Sequence, residues 1–220
     1  MTISHFYDKS IMEALQIVLI SIACCILAFS LVGNIALSAV VLEQLPRQPT
    51  KNYSYLVLNL AVSDVLFALS CIPFYIVEGF KQPVFPFGST MCKLLWPFQT
   101  VCSMASIFTV GALSFQRYRL IVQPCKGKLP WKTFIIILIL IWVLPVFLAG
   151  IPYSYVLRMD GNTSECYEEW TVFTKHPQIK LSFTIYLVVI QYILPLSLIV
   201  WCNVRAICRL KRYEKIRIKS

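Results

Sequence analysis

Residues Ala14–Leu42 read ALQIVLISIACCILAFSLVGNIALSAVVL, 29 residues without a charge. A bilayer core of about 30 Å needs roughly 20 residues of helix at about 1.5 Å rise each, so this run alone can cross a membrane. Four more runs follow. Asn52–Val77 carries one charge, Asp64, while Leu94–Gln116, Thr133–Leu157 and Leu181–Val204 carry none. Backbone groups in lipid must be paired internally, and these runs are too long for barrel strands, so they are helices. The first run is no signal peptide, because Asp8 and Glu13 precede it and its apolar stretch is too long.

Composition agrees. The chain has 220 residues, 58% of them hydrophobic and only 14% charged, where a soluble domain has about 25% charged. Disorder is excluded for the same reason. A net charge of +10 on a polar domain would suggest nucleic acid, but here the basic residues lie between apolar runs. The expected architecture is therefore an all-α integral membrane protein. Residues 1–13 form an outer N-terminus and five spans lie at about 14–42, 52–77, 94–118, 133–157 and 181–204. A basic tail occupies 205–220.

Orientation follows from Lys and Arg. Fourteen of the 20 basic residues fall on one side: Arg47 and Lys51, a group from Arg117 to Lys132, and seven from Arg205 to Lys219. Only Glu43 and Glu214 oppose them there. The expectation is an extracellular N-terminus and a cytoplasmic C-terminus in the plasma membrane. The sequon Asn162-Thr163-Ser164 then lies outside as a glycosylation site, and Asn52-Tyr53-Ser54 lies inside, unused. Of nine cysteines, only Cys92 and Cys166 are plainly outside, where disulfides persist. They permit one pairing, with two free thiols as the alternative.

Catalysis finds little support. The two histidines, His5 and His176, lie in different outer segments, the spans hold one carboxylate, and seven glycines form no phosphate loop. The expectation is not an enzyme, with no resident cofactor and no metal site. Asp64 remains conspicuous, because a carboxylate at membrane depth marks an ion site, a relay or a polar contact. A neutral, hydrogen-bonded Asp64 is the structural alternative. Pro73, Pro145, Pro152 and Pro195 predict helix kinks.

Together these residues resemble rhodopsin-like (class A) G-protein-coupled receptors. The resemblance is carried by Gly33-Asn34, Asn59-Leu60-Ala61-Val62-Ser63-Asp64, Cys92, Gln116-Arg117-Tyr118, Trp142, Cys166 and Pro195, in order along the whole chain. It implies a disulfide between Cys92 and Cys166, and an ion site of Asp64, Ser106 and Asn34 that could take sodium. It also implies helix packing and switching at Trp142 and Pro195, and a G-protein contact built from Arg117, Tyr118, Ile121, Val122 and Pro124.

The departures are equally specific. Gln116 stands where the family has an acid that restrains the neighbouring arginine, so a weaker restraint on Arg117 is expected. Asn203 stands where the family usually has Tyr. The five spans are those of a seven-helix bundle, so the chain is expected to be a truncated product, a fragment of a longer gene's protein or a five-helix protein in its own right, and unable to signal alone.

No acid lies between Cys92 and Gln116, which argues against an amine ligand. The stretch Cys92–Thr100 looks most like receptors of the orexin and neuropeptide Y type, with Trp96, Gln99 and Thr100 as candidate ligand contacts. Asp160, Glu165, Glu168 and Glu169 would suit a basic peptide, or are simply a solvated loop. The expected partners are an extracellular peptide, membrane lipid, other receptor chains and, if completed to seven helices, a heterotrimeric G protein; nucleic acid is not among them. The alternatives are a non-signalling protein that associates with full-length receptors, and a small ion-coupled transporter using Asp64.

Overall fold

The computed structural model describes residues 2–47, 51–79, 85–124, 129–161, 163–172 and 178–219. Helix α1 is Thr2–Gln44, followed by a 3-10 turn at Leu45–Arg47; α2 is Lys51–Gly79 and α3 is Gly88–Val122. The fourth span runs as α4, Trp131–Pro145, through a π turn at Val146–Gly150 into α5, Ile151–Val156. The fifth is α6, Ile179–Val188, a π turn at Val189–Ile193, then α7, Leu194–Lys219. Five of these stretches are long and apolar enough to cross a membrane.

Both π turns end two residues before a proline, Pro152 and Pro195. Proline has no N–H for the carbonyl four residues back, so the ladder must adjust locally. Widening the preceding turn is one way to do so. Pro73 and Pro97, by contrast, lie inside unbroken helices.

Helix α3 is the axis of the bundle, packed against α2, α4 and α7. Small side chains are fully buried on both helices, Ala61, Ser63 and Ala68 on α2 and Cys102 and Ala105 on α3. Lipid gives helices no hydrophobic drive to associate, so close backbone approach and interhelical hydrogen bonds must do it. Leu56, Ala105, Phe134 and Ile141 form the central apolar cluster. Helix α1 is peripheral, and Phe29 on it is 80% exposed.

Two segments differ from the expected pattern. The tail after Val204 is a continuation of α7 as far as Lys219. No Gly or Pro follows Pro195, and Arg, Lys, Leu and Glu are good helix formers, so nothing stops the helix at the end of the apolar run. The segment after the fourth span folds as a hairpin, β1 Leu157–Met159 against β2 Cys166–Glu168, with Met159 opposite Cys166. Asp160-Gly161 at its turn is a hairpin signal that the loop reading passed over.

Candidate functional site

One end of α3 is closed by the hairpin. Cys92 and Cys166 form a disulfide with Cα atoms 5.7 Å apart, and Cys92 packs in a buried cluster with Phe85 and Leu157. Gly88 opens α3 with φ +76°, a conformation that glycine adopts without penalty. Asn162 lies outside the described residues, so the sequon's setting is not seen.

Beside the disulfide lies an ionic and aromatic cluster that sequence reasoning missed. The Glu168 carboxylate accepts hydrogen bonds from Tyr153 at 2.7 Å and Trp170 Nε1 at 2.9 Å, and pairs with Lys180 Nζ at 2.8 Å. Phe183 packs against Trp170 and Tyr186. Burial pushes the Glu168 carboxyl up, but the hydrogen bonds from Lys180, Trp170 and Tyr153 outweigh it and hold it below its ordinary value. Glu169 pairs with Arg158 at 3.5 Å. Two of the four acids expected to face a basic peptide are thus engaged within the protein, while Glu165 is exposed. Their separation in sequence, from Tyr153 to Lys180, hid the arrangement.

Of the candidate ligand contacts, Gln99 reaches across to α2, with Nε2 2.7 Å from Cys71 Sγ. Thr100 donates to the Trp96 carbonyl at 3.0 Å, within α3. An apolar groove on the other flank of α3, lined by Leu94, Phe98, Val101, Val146 and Gly150, includes none of the three.

At mid-depth the Ser106 hydroxyl donates to Asp64 Oδ1 at 2.5 Å, joining α2 and α3. Asn34 is not bonded to Asp64; its amide donates to the Ser30 carbonyl at 2.9 Å, inside α1. One turn away, Asn59 ties three spans together. Its Nδ2 donates to Thr109 at 2.8 Å, and its Oδ1 accepts from Trp142 Nε1 at 2.8 Å. Gln191, in the second π turn, donates to Ser103 at 2.8 Å. Pro195, just beyond it, is buried.

The opposite end of α3 presents Arg117. Its Nη2 donates to the Tyr53 hydroxyl at 2.6 Å, while Gln116 is 95% buried and its Oε1 has no partner among the described residues. Tyr118 packs on Trp201 of α7, centroids 4.9 Å apart. Ile121 and Val122 are half-buried and Pro124 is exposed, so the five expected contact residues share this end.

Residues 33–219 match the family model described as 7 transmembrane receptor (rhodopsin family). The chain belongs to the rhodopsin receptor family. This rhodopsin-family chain is 29% identical over 201 residues to galanin receptor type 1 of Rattus norvegicus, covering 89% of the chain and 56% of that receptor. It is 30% identical over 198 residues to neuropeptide FF receptor 2 of Mus musculus, covering 83% and 46%. Against neuropeptide Y receptor type 6 of Oryctolagus cuniculus it is 30% identical over 226 aligned positions, covering 97% and 60%. The chain spans about half the length of the curated relatives it matches. Like its family, it is a multi-pass membrane protein.

Proposed function

We propose that this chain is the five-helix part of a receptor for an extracellular peptide, in the plasma membrane. The disulfide end faces out and the Arg117 end faces the cytoplasm. The observation that carries the reading is the one helix α3. It is pinned by Cys92–Cys166 at one end and offers exposed Arg117 at the other, in a chain of the rhodopsin family. The relatives named above for galanin, neuropeptide FF and neuropeptide Y support a peptide ligand. The acids committed to Arg158 and Lys180 leave Glu165 as the exposed charge for a basic peptide.

Asp64 and Ser106 would seat a sodium ion weakly, since they offer few oxygens to a cation that prefers several. The Arg117 end would meet a heterotrimeric G protein only when two further helices complete the cavity. A polypeptide of these 220 residues alone is therefore silent. The exposed flank of α7, with Leu196, Val200, Trp201 and Val204, supports a second reading in which the chain associates with other receptor chains.

The test is peptide binding by the chain expressed with a two-helix fragment from galanin receptor type 1. Saturable binding of a neuropeptide, lost on Glu165→Gln, is expected. Binding that is indifferent to this change and to an excess of unlabelled peptide would refute the reading.

A further inference from the structure

Helix α2 opens at Lys51, so Tyr53 lies in its first turn, and there it meets Arg117 of α3. The guanidinium makes two contacts with this one side chain. Nη2 donates to the phenol oxygen at 2.6 Å, and the guanidinium carbon lies 5.6 Å from the ring centroid. Among the described residues no carboxylate pairs with it. Gln116, its neighbour in sequence, carries an acceptor that Arg117 does not use. Successive residues on a helix point about 100° apart. Gln116 is therefore buried with Oε1 unpaired among the described residues, while Arg117 stays exposed. The next residue, Tyr118, packs on Trp201 of α7. Two consecutive side chains thus tie this end of α3 to two different spans.

The setting makes the contact a latch. The first turn of a helix is the positive end of its dipole, where a cation is disfavoured. Lys51 adds a further positive charge to that turn of α2. The field therefore opposes Arg117 at this place, and the phenol oxygen is what keeps it there. Once the bond breaks, the same field drives the guanidinium away from α2. We propose that Tyr53 is the positioning residue for Arg117, folding the guanidinium onto α2 and withholding it from a partner until the bond is broken. The hold itself stands on geometry alone. What its release does rests on the proposed G-protein contact at Arg117, and the experiment separates the two.

The experiment treats the detergent-purified chain with phenylglyoxal, which modifies accessible guanidinium groups, and reads the rate at each arginine by mass spectrometry. In Tyr53→Phe, Arg117 should react at least about tenfold faster than in the native chain, the factor for one hydrogen bond to a charged group. Tyr55→Phe, two residues further along α2, should leave Arg117 unchanged, and Arg158 at the other end should keep its rate in every variant. An unchanged rate at Arg117 in Tyr53→Phe would overturn the proposal. So would equal acceleration at Arg158, because the variant would then have loosened as a whole. The second readout is peptide-free nucleotide exchange in membranes holding the chain and a two-helix fragment of galanin receptor type 1. Tyr53→Phe should raise it severalfold, and adding Arg117→Gln should remove the rise. Pieces that respond to peptide while Tyr53→Phe leaves peptide-free exchange unchanged would equally overturn the proposal. Pieces that never respond to peptide, with Arg117 still freed in Tyr53→Phe, would refute the receptor reading and support the latch.

Discussion

Arg117 of α3 is held by Tyr53 of α2: Nη2 donates to the phenol oxygen at 2.6 Å, and the guanidinium carbon lies 5.6 Å from the ring centroid. Gln116 supplies no counter-charge, yet Arg117 is not loose. The sequence suggested a weak restraint because it looked to the adjacent residue, whereas the partner lies 64 positions earlier. Tyr53→Phe keeps the ring and removes the acceptor. It should cost about 0.5–1.5 kcal/mol in the midpoint of denaturant unfolding in detergent. No shift would mean the contact is not formed in solution.

Gln116 itself carries a buried Oε1 without a donor among the described residues. An unsatisfied buried acceptor costs about 1–3 kcal/mol. Gln116→Leu should therefore be neutral or stabilising, unlike most buried substitutions. A loss above about 1 kcal/mol in the same unfolding measurement would show that the amide has a partner.

Asn59 bridges Thr109 and Trp142. A double-mutant cycle with Asn59→Leu and Trp142→Phe should give a coupling of about 0.6 kcal/mol, at most about 1.7. Zero coupling would sever the link between the second and fourth spans.

Gly150 sits where an added Cβ would meet Val101 Cγ2 at 3.0 Å. Gly150→Ala should destabilise by roughly 1–3 kcal/mol through overpacking, and Val101→Ala in that background should recover most of it. Failure of the second change to recover stability would locate the strain elsewhere.

The five spans were legible because run length alone sets them, and the disulfide because only two cysteines lie on its side of the membrane. Asp64 and Ser106 were placed by the family pattern. The Glu168 cluster was not legible, since Tyr153, Trp170 and Lys180 come from three segments that only the folded hairpin brings together. Nor was the helical tail, because charge marks where lipid ends but not where a helix does. Asn34 was expected beside Asp64, yet its amide is satisfied one turn back by Ser30.

Glu168 gives a pH prediction. Its folded-state value lies below its ordinary 4.5, so its contribution to anchoring the hairpin is fully present above about pH 4.5. The contribution is lost as pH falls through the lowered value. Hydrogen exchange of the 157–168 backbone should accelerate below that range in the native chain and at neutral pH in Glu168→Gln. Equal exchange in both at neutral pH would remove Glu168 as the anchor.

The central claim is that these five helices are the peptide-sensing part of a receptor whose signalling needs two more. Nucleotide exchange on a heterotrimeric G protein should be measured in membranes holding the 220-residue chain, with and without a separate two-helix fragment of galanin receptor type 1. Peptide-dependent exchange only when both pieces are present is the predicted result. Peptide-dependent exchange from the chain alone would contradict the account, because α7 would then be doing what is assigned to the helix after it.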